Sequence, residues 1–289
     1  MRWAIRIGVL NTLSDGGNCF QKVSDFGVDV CQLVSWDPSQ ATPETADRVA
    51  RFSRAAGVTI SAVWAGLPPP QVWNFKEGPV TLGIVPEAYR EERVKVLRRW
   101  ADFASRAGVP AIVTHCGFIP ENMTDPAYPG VVDTIADVAA YCKRLGIGFW
   151  LETGQETPLV LLRTIERVGL DNVGINLDPA NLIMYGKGNP VDALDVFGPY
   201  VRNVHVKDGK YPTNGDELGP EVQVGHGKVD FPALLGRLRE LGFRGELIIE
   251  REIWGEEQAR DIRETVGRLK EWLRELDSAH DGKREDEKA

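Results

Sequence analysis

Four residues with metal-ligating side chains close four β-like runs in the second half of the chain. Glu152 ends Gly148-Phe149-Trp150-Leu151-Glu152, Asp178 ends Val173-Gly174-Ile175-Asn176-Leu177-Asp178, His205 ends Val201-Arg202-Asn203-Val204-His205, and Glu250 ends Glu246-Leu247-Ile248-Ile249-Glu250. A carboxylate at the end of an apolar strand is costly to bury unless it is paired or bound to a cation. Three carboxylates and one imidazole suit a single divalent ion with coordination positions left open. The oxygen-rich set favours Mn2+ or Mg2+, and the imidazole moves the expectation toward Mn2+ or Co2+, with Mn2+ first. No thiolate joins the set, so a structural zinc site is not indicated.

These four side chains meet only if their strands share one end of one sheet. The pattern along the chain supplies that. Ile5–Val9, Val28–Val34, Val58–Val63 and Ala111–His115 read as four earlier strands, and helical patterns alternate with all of them. One helix starts at Thr42-Pro43-Glu44 and stops at Gly57; another runs from Glu87 to Gly108 with Val94, Leu97, Trp100, Phe103 and Ala104 at helical spacing. Further helices are expected over Val131–Leu145, Pro158–Val168, Val191–Phe197, Phe231–Leu241 and Glu256–Leu276. Eight strand–helix units in 289 residues give an α/β fold, a closed (β/α)8 TIM barrel. No Pro/Ser/Gly-rich linker divides the chain, so residues 1–277 form one domain, followed by a charged, frayed tail at 278–289. Two long segments after strands, Trp64–Pro86 and Lys207–Asp230, fall at the C-terminal face, where lids and binding loops are built.

Composition narrows the class of function. Apolar residues at 43% and charged residues at 26% describe a folded, solvated chain, not a disordered one. The net charge of -8 repels polyanions, so nucleic acid is not the expected partner. No apolar run approaches the roughly 18 residues of a membrane span. Cys19, Cys31, Cys116 and Cys142 form no C-x-x-C pair, and the N-terminus lacks a signal-like apolar stretch, so the expected location is the reducing cytoplasm.

Leu151-Glu152-Thr153-Gly154, Asn176-Leu177-Asp178-Pro179-Ala180-Asn181, Val204-His205-Val206-Lys207-Asp208-Gly209, Gly225-His226-Gly227-Lys228-Val229-Asp230-Phe231 and Ile249-Glu250 together resemble the sugar phosphate isomerase/epimerase group of xylose isomerase-like barrels. Ketose 3-epimerases are its clearest members. The resemblance runs from the first strand to the last. It implies one Mn2+-type ion on Glu152, Asp178, His205 and Glu250, and a small-molecule sugar or polyol substrate. Removing a proton beside a carbonyl creates an enediolate whose charge a metal stabilises. In the family's epimerases, glutamates matching Glu152 and Glu250 face opposite sides of the carbon, so one removes the proton and the other returns it. One departure stands out: where these epimerases often carry His three residues after the metal-binding Asp, this chain has Asn181. That leaves isomerases, keto-inositol dehydratases and keto-sugar lyases as alternatives. A DNA-repair AP endonuclease shares the barrel but needs a three-metal cluster with more histidines than the 4 present here. A non-catalytic or partner-dependent subunit, or a homo-oligomer, is compatible with the same residues.

Further positions complete the expected substrate site. Lys207 follows His205 by two residues, so strand alternation puts both on one face, where an ammonium polarises a substrate oxygen or holds a phosphate. His115, at the end of the fourth strand, lines the pocket or binds a second metal. Glu156, just past Glu152 with Gln155, contacts sugar hydroxyls or opens the next helix. His226 and Lys228 sit in a Gly-rich segment that suits phosphate without being a P-loop. Trp36 and Trp64 follow strands, as do Trp73 and Trp254, where indoles stack on sugar C–H faces or pack loops; Trp100 and Trp272 belong to helix packing.

Overall fold

The β-branched runs pair in parallel and close on themselves. The computed structural model describes residues 3–13 and 19–286, with side chains through Ala279. The strands are β1 (Arg6–Thr12), β2 (Val30–Ser35), β3 (Thr59–Ala65), β4 (Ala111–Thr114), β5 (Gly148–Glu152), β6 (Val173–Leu177), β7 (Val201–Val206), β8 (Asp208–Gly209), β9 (Glu221–Val222) and β10 (Glu246–Ile249). The closed barrel has the circular order β1-β10-β7-β6-β5-β4-β3-β2, and β8 and β9 pair as a separate antiparallel ribbon. This is the expected (β/α)8 TIM barrel.

The helices are α1 (Cys19–Asp25), α2 (Pro43–Ala56), α3 (Gly78–Thr81), α4 (Glu87–Ala107), α5 (Ala127–Arg144), α6 (Pro158–Val168), α7 (Pro179–Met184), α8 (Pro190–Phe197), α9 (Phe231–Glu240) and α10 (Glu256–Asp286). Four of them share one start signal. Thr42, Thr157, Asp178 and Asn189 each cap a helix through a side-chain oxygen, with proline next, where its missing N–H costs nothing. The alternation read from the sequence missed α1, α3 and α7, each of seven residues or fewer. α10 also continues through the boundary expected at Asp277, and residues 287–289 of the expected tail lie outside the described residues.

Two layers of core hold the strands. Outside the barrel, Leu97, Trp100 and Phe103 of α4 are buried in a cluster that continues through Tyr128, Phe149 and Phe197. Trp272 stacks on Phe231 with ring centroids 5.4 Å apart, so it and Trp100 are packing residues as expected. Inside the barrel, Val34, Ala62, Trp64, Ala111 and Val113 form an apolar layer, and Gln32, Asn176, Asn203 and His205 are fully buried polar groups. The four cysteines are free and buried. Among the described residues no helix is long and apolar enough to cross a membrane.

Both long segments are tied down. Arg93 of α4, fully buried, donates through Nη1 to the carbonyls of Thr81 and Gly83 and through Nη2 to those of Pro68 and Pro70, pinning the segment that carries Trp73. In the second segment the buried Asp208 carboxylate accepts from the backbone N–H groups of Gly209, Gly225, Gly227 and Val229 at 2.9–3.1 Å. A Cβ on Gly227 would lie 2.0 Å from Asp208 Oδ1, so only glycine allows this approach. The nest therefore binds the chain's own carboxylate, and its donors are not left for a phosphate. This corrects the reading of Gly225-His226-Gly227-Lys228 as an anion cradle.

Candidate metal centre and substrate pocket

Strand alternation aims the key side chains into the barrel mouth. Trp150 and Glu152, Asn176 and Asp178, and Asn203, His205 and Lys207 are spaced by two, so within each set the side chains share the inner face. Glu152, Asp178, His205 and Glu250 each bring one ligand atom within 4.8 Å of the others, and all four are buried. Nδ1 of His205 lies 2.8 Å from Glu250 Oε2, 3.4 Å from Glu152 Oε1 and 3.8 Å from Asp178 Oδ2.

The fit to a cation shows in what these atoms lack. Asp178 Oδ2, His205 Nδ1 and Glu250 Oε2 are buried and turned toward one another, with no hydrogen bond to a group outside the centre. The other atoms of Asp178 and His205 are satisfied. Asp178 Oδ1 accepts from the Asn181 N–H at 3.0 Å as the α7 cap, leaving Oδ2 free for an ion. His205 Nε2 lies 2.7 Å from Gln32 Oε1; donating that N–H leaves Nδ1 as the ring atom facing the carboxylates, where a bound cation would replace its proton. Gln32 Nε2 and Asn203 Nδ2 both donate to Asn176 Oδ1, at 3.1 and 2.7 Å, which fixes the amides behind the imidazole. Among the described residues this is the one group of three or more such side chains able to hold a metal ion.

The charges are strongly coupled. Burial would raise Glu152, but His205 and His115 beside it hold its carboxyl well below the usual range. Burial raises Glu250, against the pull of Lys207 and His205. Burial opposes charge on His205, yet Glu152 and Glu250 lift it well above an ordinary imidazole. Lys207, 2% exposed, sits 3.5 Å from Glu250 Oε2, 3.6 Å from Asp178 Oδ2 and 3.1 Å from Glu252 Oε2. Despite its burial, Glu250, Glu252 and Asp178 keep its ammonium charged.

Comparison with known proteins agrees with this barrel. The family described as xylose isomerase-like TIM barrel matches residues 20–276. The chain belongs to the xylose isomerase-like TIM barrel family. A solved xylose isomerase domain protein from Planctomyces limnophilus is 34% identical, with a TM-score of 0.89 over 95% of this chain and 99% of that one. The inosose dehydratase of Geobacillus kaustophilus is 26% identical over 192 residues, 56% of this chain and 62% of that protein, so the match spans less than two thirds of that relative. A solved D-tagatose 3-epimerase-like protein shares the fold with a TM-score of 0.74 at 21% identity, over 95% of this chain and 99% of that one.

In this xylose isomerase-like barrel the centre floors a cavity of about 380 Å³. Glu152 and Glu250 reach the cavity, while Asp178 and His205 lie beneath it. Trp36, Trp64, His115, Asn181 and Lys207 line it, where the sequence reading put them. Trp64 Nε1 donates a short hydrogen bond to Glu152 Oε2, and Asn181 Nδ2 lies 3.4 Å from Glu152 Oε1. His115 Nε2 is also 3.4 Å from that oxygen, so His115 belongs to the wall beside Glu152.

Two expected substrate contacts fall elsewhere. His226 is exposed and outside the cavity lining, because Asp208 draws in the backbone around it and leaves the imidazole in solvent. Glu156 is 1% exposed but also outside the lining, with neither carboxylate oxygen hydrogen-bonded. Its neighbour Gln155 donates to the Tyr185 hydroxyl at 3.0 Å. Conversely, Gln32, Asn176 and Asn203 were not singled out from the sequence. Their signal was a polar amide inside an apolar strand, which becomes informative only once the strands surround His205.

Proposed function

We propose that this chain is a metal-dependent enzyme acting on keto-sugars or keto-polyols by removing a proton from the carbon beside a carbonyl, with a ketose 3-epimerase-like outcome as the first reading. The single observation that carries it is the set of buried ligand atoms on Asp178, His205 and Glu250 that turn toward one another and toward Glu152 beneath an aromatic cavity. A divalent ion on these four residues, Mn2+ first and Mg2+ or Co2+ next, would polarise a carbonyl oxygen as a Lewis acid.

The chain's own residues account for the rest. Trp64 and Asn181 hold the Glu152 carboxylate from one side. Glu250 comes from β10, separated from β5 by β7 and β6, so the two carboxylates enter from different flanks. One takes the proton and the other returns it to the opposite face of the carbon. Lys207, charged and aimed into the cavity, orients a substrate oxygen. The free buried thiols suit a reducing compartment, which supports the cytoplasmic expectation.

A second reading rests on the likeness to inosose dehydratase and on Asn181 beside Glu152. The same proton removal, followed by loss of hydroxide from the next carbon, makes a dehydratase. Incubating Mn2+-loaded protein in D2O with ketoses and keto-inositols separates the two: epimerisation yields inverted, deuterated sugar, and dehydration yields an ultraviolet-absorbing enone. Glu152→Gln and Glu250→Gln should each lower the rate by about 10²–10⁴-fold. Absence of C–H exchange with every substrate, in protein holding about one ion per chain, overturns both.

A further inference from the structure

We propose that the pocket takes an uncharged sugar bearing a second ring, and that the second ring lies between Trp36 and Trp254 at the mouth. This rests on the keto-sugar reading above and names its substrate class. The aromatic wall starts at the centre and continues outward. Trp64, 5% exposed, holds Glu152; Trp36 lies 4.5 Å from Trp64 by ring centroids and is 50% exposed. Trp36 is thus the outer of the two indoles, on the solvent side of Trp64. Trp254, on the segment after Glu250, also lines the cavity and is 80% exposed. Trp36 follows β2 and Trp254 follows β10, the two strands that flank β1, so the indoles stand on either side of Leu10 and Thr12. Two exposed indoles at the rim of a sugar-sized cavity suit the C–H face of a ring.

The charges at the rim decide against a phosphate. The lining cations, Lys207 and Arg251, are both engaged by carboxylates. Lys207 faces Asp178, Glu250 and Glu252, and Arg251 pairs with Glu221 at 3.0 Å and Asp261 at 2.9 Å. Gln258 donates to the Arg251 carbonyl at 2.8 Å. A dianion entering here would have to displace internal ion pairs and meet Glu252. Stacking is what the mouth offers, and it selects a neutral ring, saccharide or aryl.

Calorimetric titration of the Mn2+-loaded protein with glucose, methyl β-glucoside, phenyl β-glucoside, cellobiose and glucose 6-phosphate tests this. Phenyl β-glucoside or cellobiose should bind about tenfold tighter than methyl β-glucoside, and glucose 6-phosphate no tighter than glucose. A lead for cellobiose makes the second ring a sugar; a lead for the phenyl glycoside makes it an aryl group. In Trp254→Ala the two-ring ligands should fall to the affinity of the one-ring ligands. Equal affinities in the wild type, a preference for the phosphate, or a ladder that survives Trp254→Ala overturns the proposal. So does a concentration-dependent dimer that Trp254→Ala dissolves while the ladder is flat. The ladder does not require turnover: a steep ladder without C–H exchange sinks the reaction, and exchange with a flat ladder sinks only the second-ring subsite.

Discussion

Glu152 and Glu156 stand four residues apart, both buried, and their surroundings give them opposite tendencies. Glu152 has an indole donor, an amide and two imidazoles around it. Glu156 has no hydrogen bond to either oxygen, and burial pushes it from the ordinary 4.5 up to about 8. Between these values the folded chain keeps a proton that the unfolded chain has released. Its stabilising contribution is therefore full below pH 4.5 and is lost as pH rises to about 8, with a slope of about 1.4 kcal/mol per pH unit. Glu156→Gln should flatten that part of the profile and leave the protein more stable than wild type at pH 8, read as urea midpoints at pH 5, 6.5 and 8. Glu152, Asp178, His205 and Glu250 were legible because each interrupts an apolar run at its end. Glu156 was misplaced because adjacency to Glu152 in sequence says nothing about which wall its side chain enters after the strand ends.

Arg93 shows the same limit for a whole element. Its helix could be read from periodicity, but a charged residue in a polar-looking stretch gives no sign that four loop carbonyls will enclose it. Arg93→Met should cost about 3 kcal/mol, since the carbonyls lose charged donors in a buried place. Hydrogen exchange should then speed up across residues 66–85, with the barrel strands still protected. α7 was invisible for a different reason: six residues are too few for a helical period, although Asp178-Pro179 carried the cap signature. The Gly-rich segment was read by composition alone, and composition cannot tell an external phosphate from Asp208.

The barrel as a whole joins ligands from β5, β6, β7 and β10, so an ion that binds them favours the closed sheet over the open chain. At one hundred times its dissociation constant, Mn2+ should add about 2.7 kcal/mol and raise Tm by about 5 °C. Gln32→Leu should shift the Mn2+ concentration for half that gain upward by about 10–100-fold, because His205 then loses the partner that sets its tautomer. An unchanged Tm across Mn2+ concentrations would exclude a cation site here. Of the 42 acidic residues, Glu152, Asp178 and Glu250 are gathered in this one group, whose charge a bound cation would offset.

Alternating strand and helix patterns, helix caps and polar residues at strand ends are local properties, and they were enough for the barrel and for the four side chains that meet in it. The amides behind His205, the enclosure of Asp208 and Arg93, the placing of Glu156 and His226, and the line of indoles from Glu152 to the mouth depend on partners far apart in the chain. Gln32 and His205, for example, are 173 residues apart. Such contacts exist only once the sheet has closed, because closure alone brings β2 and β7 side chains into one interior.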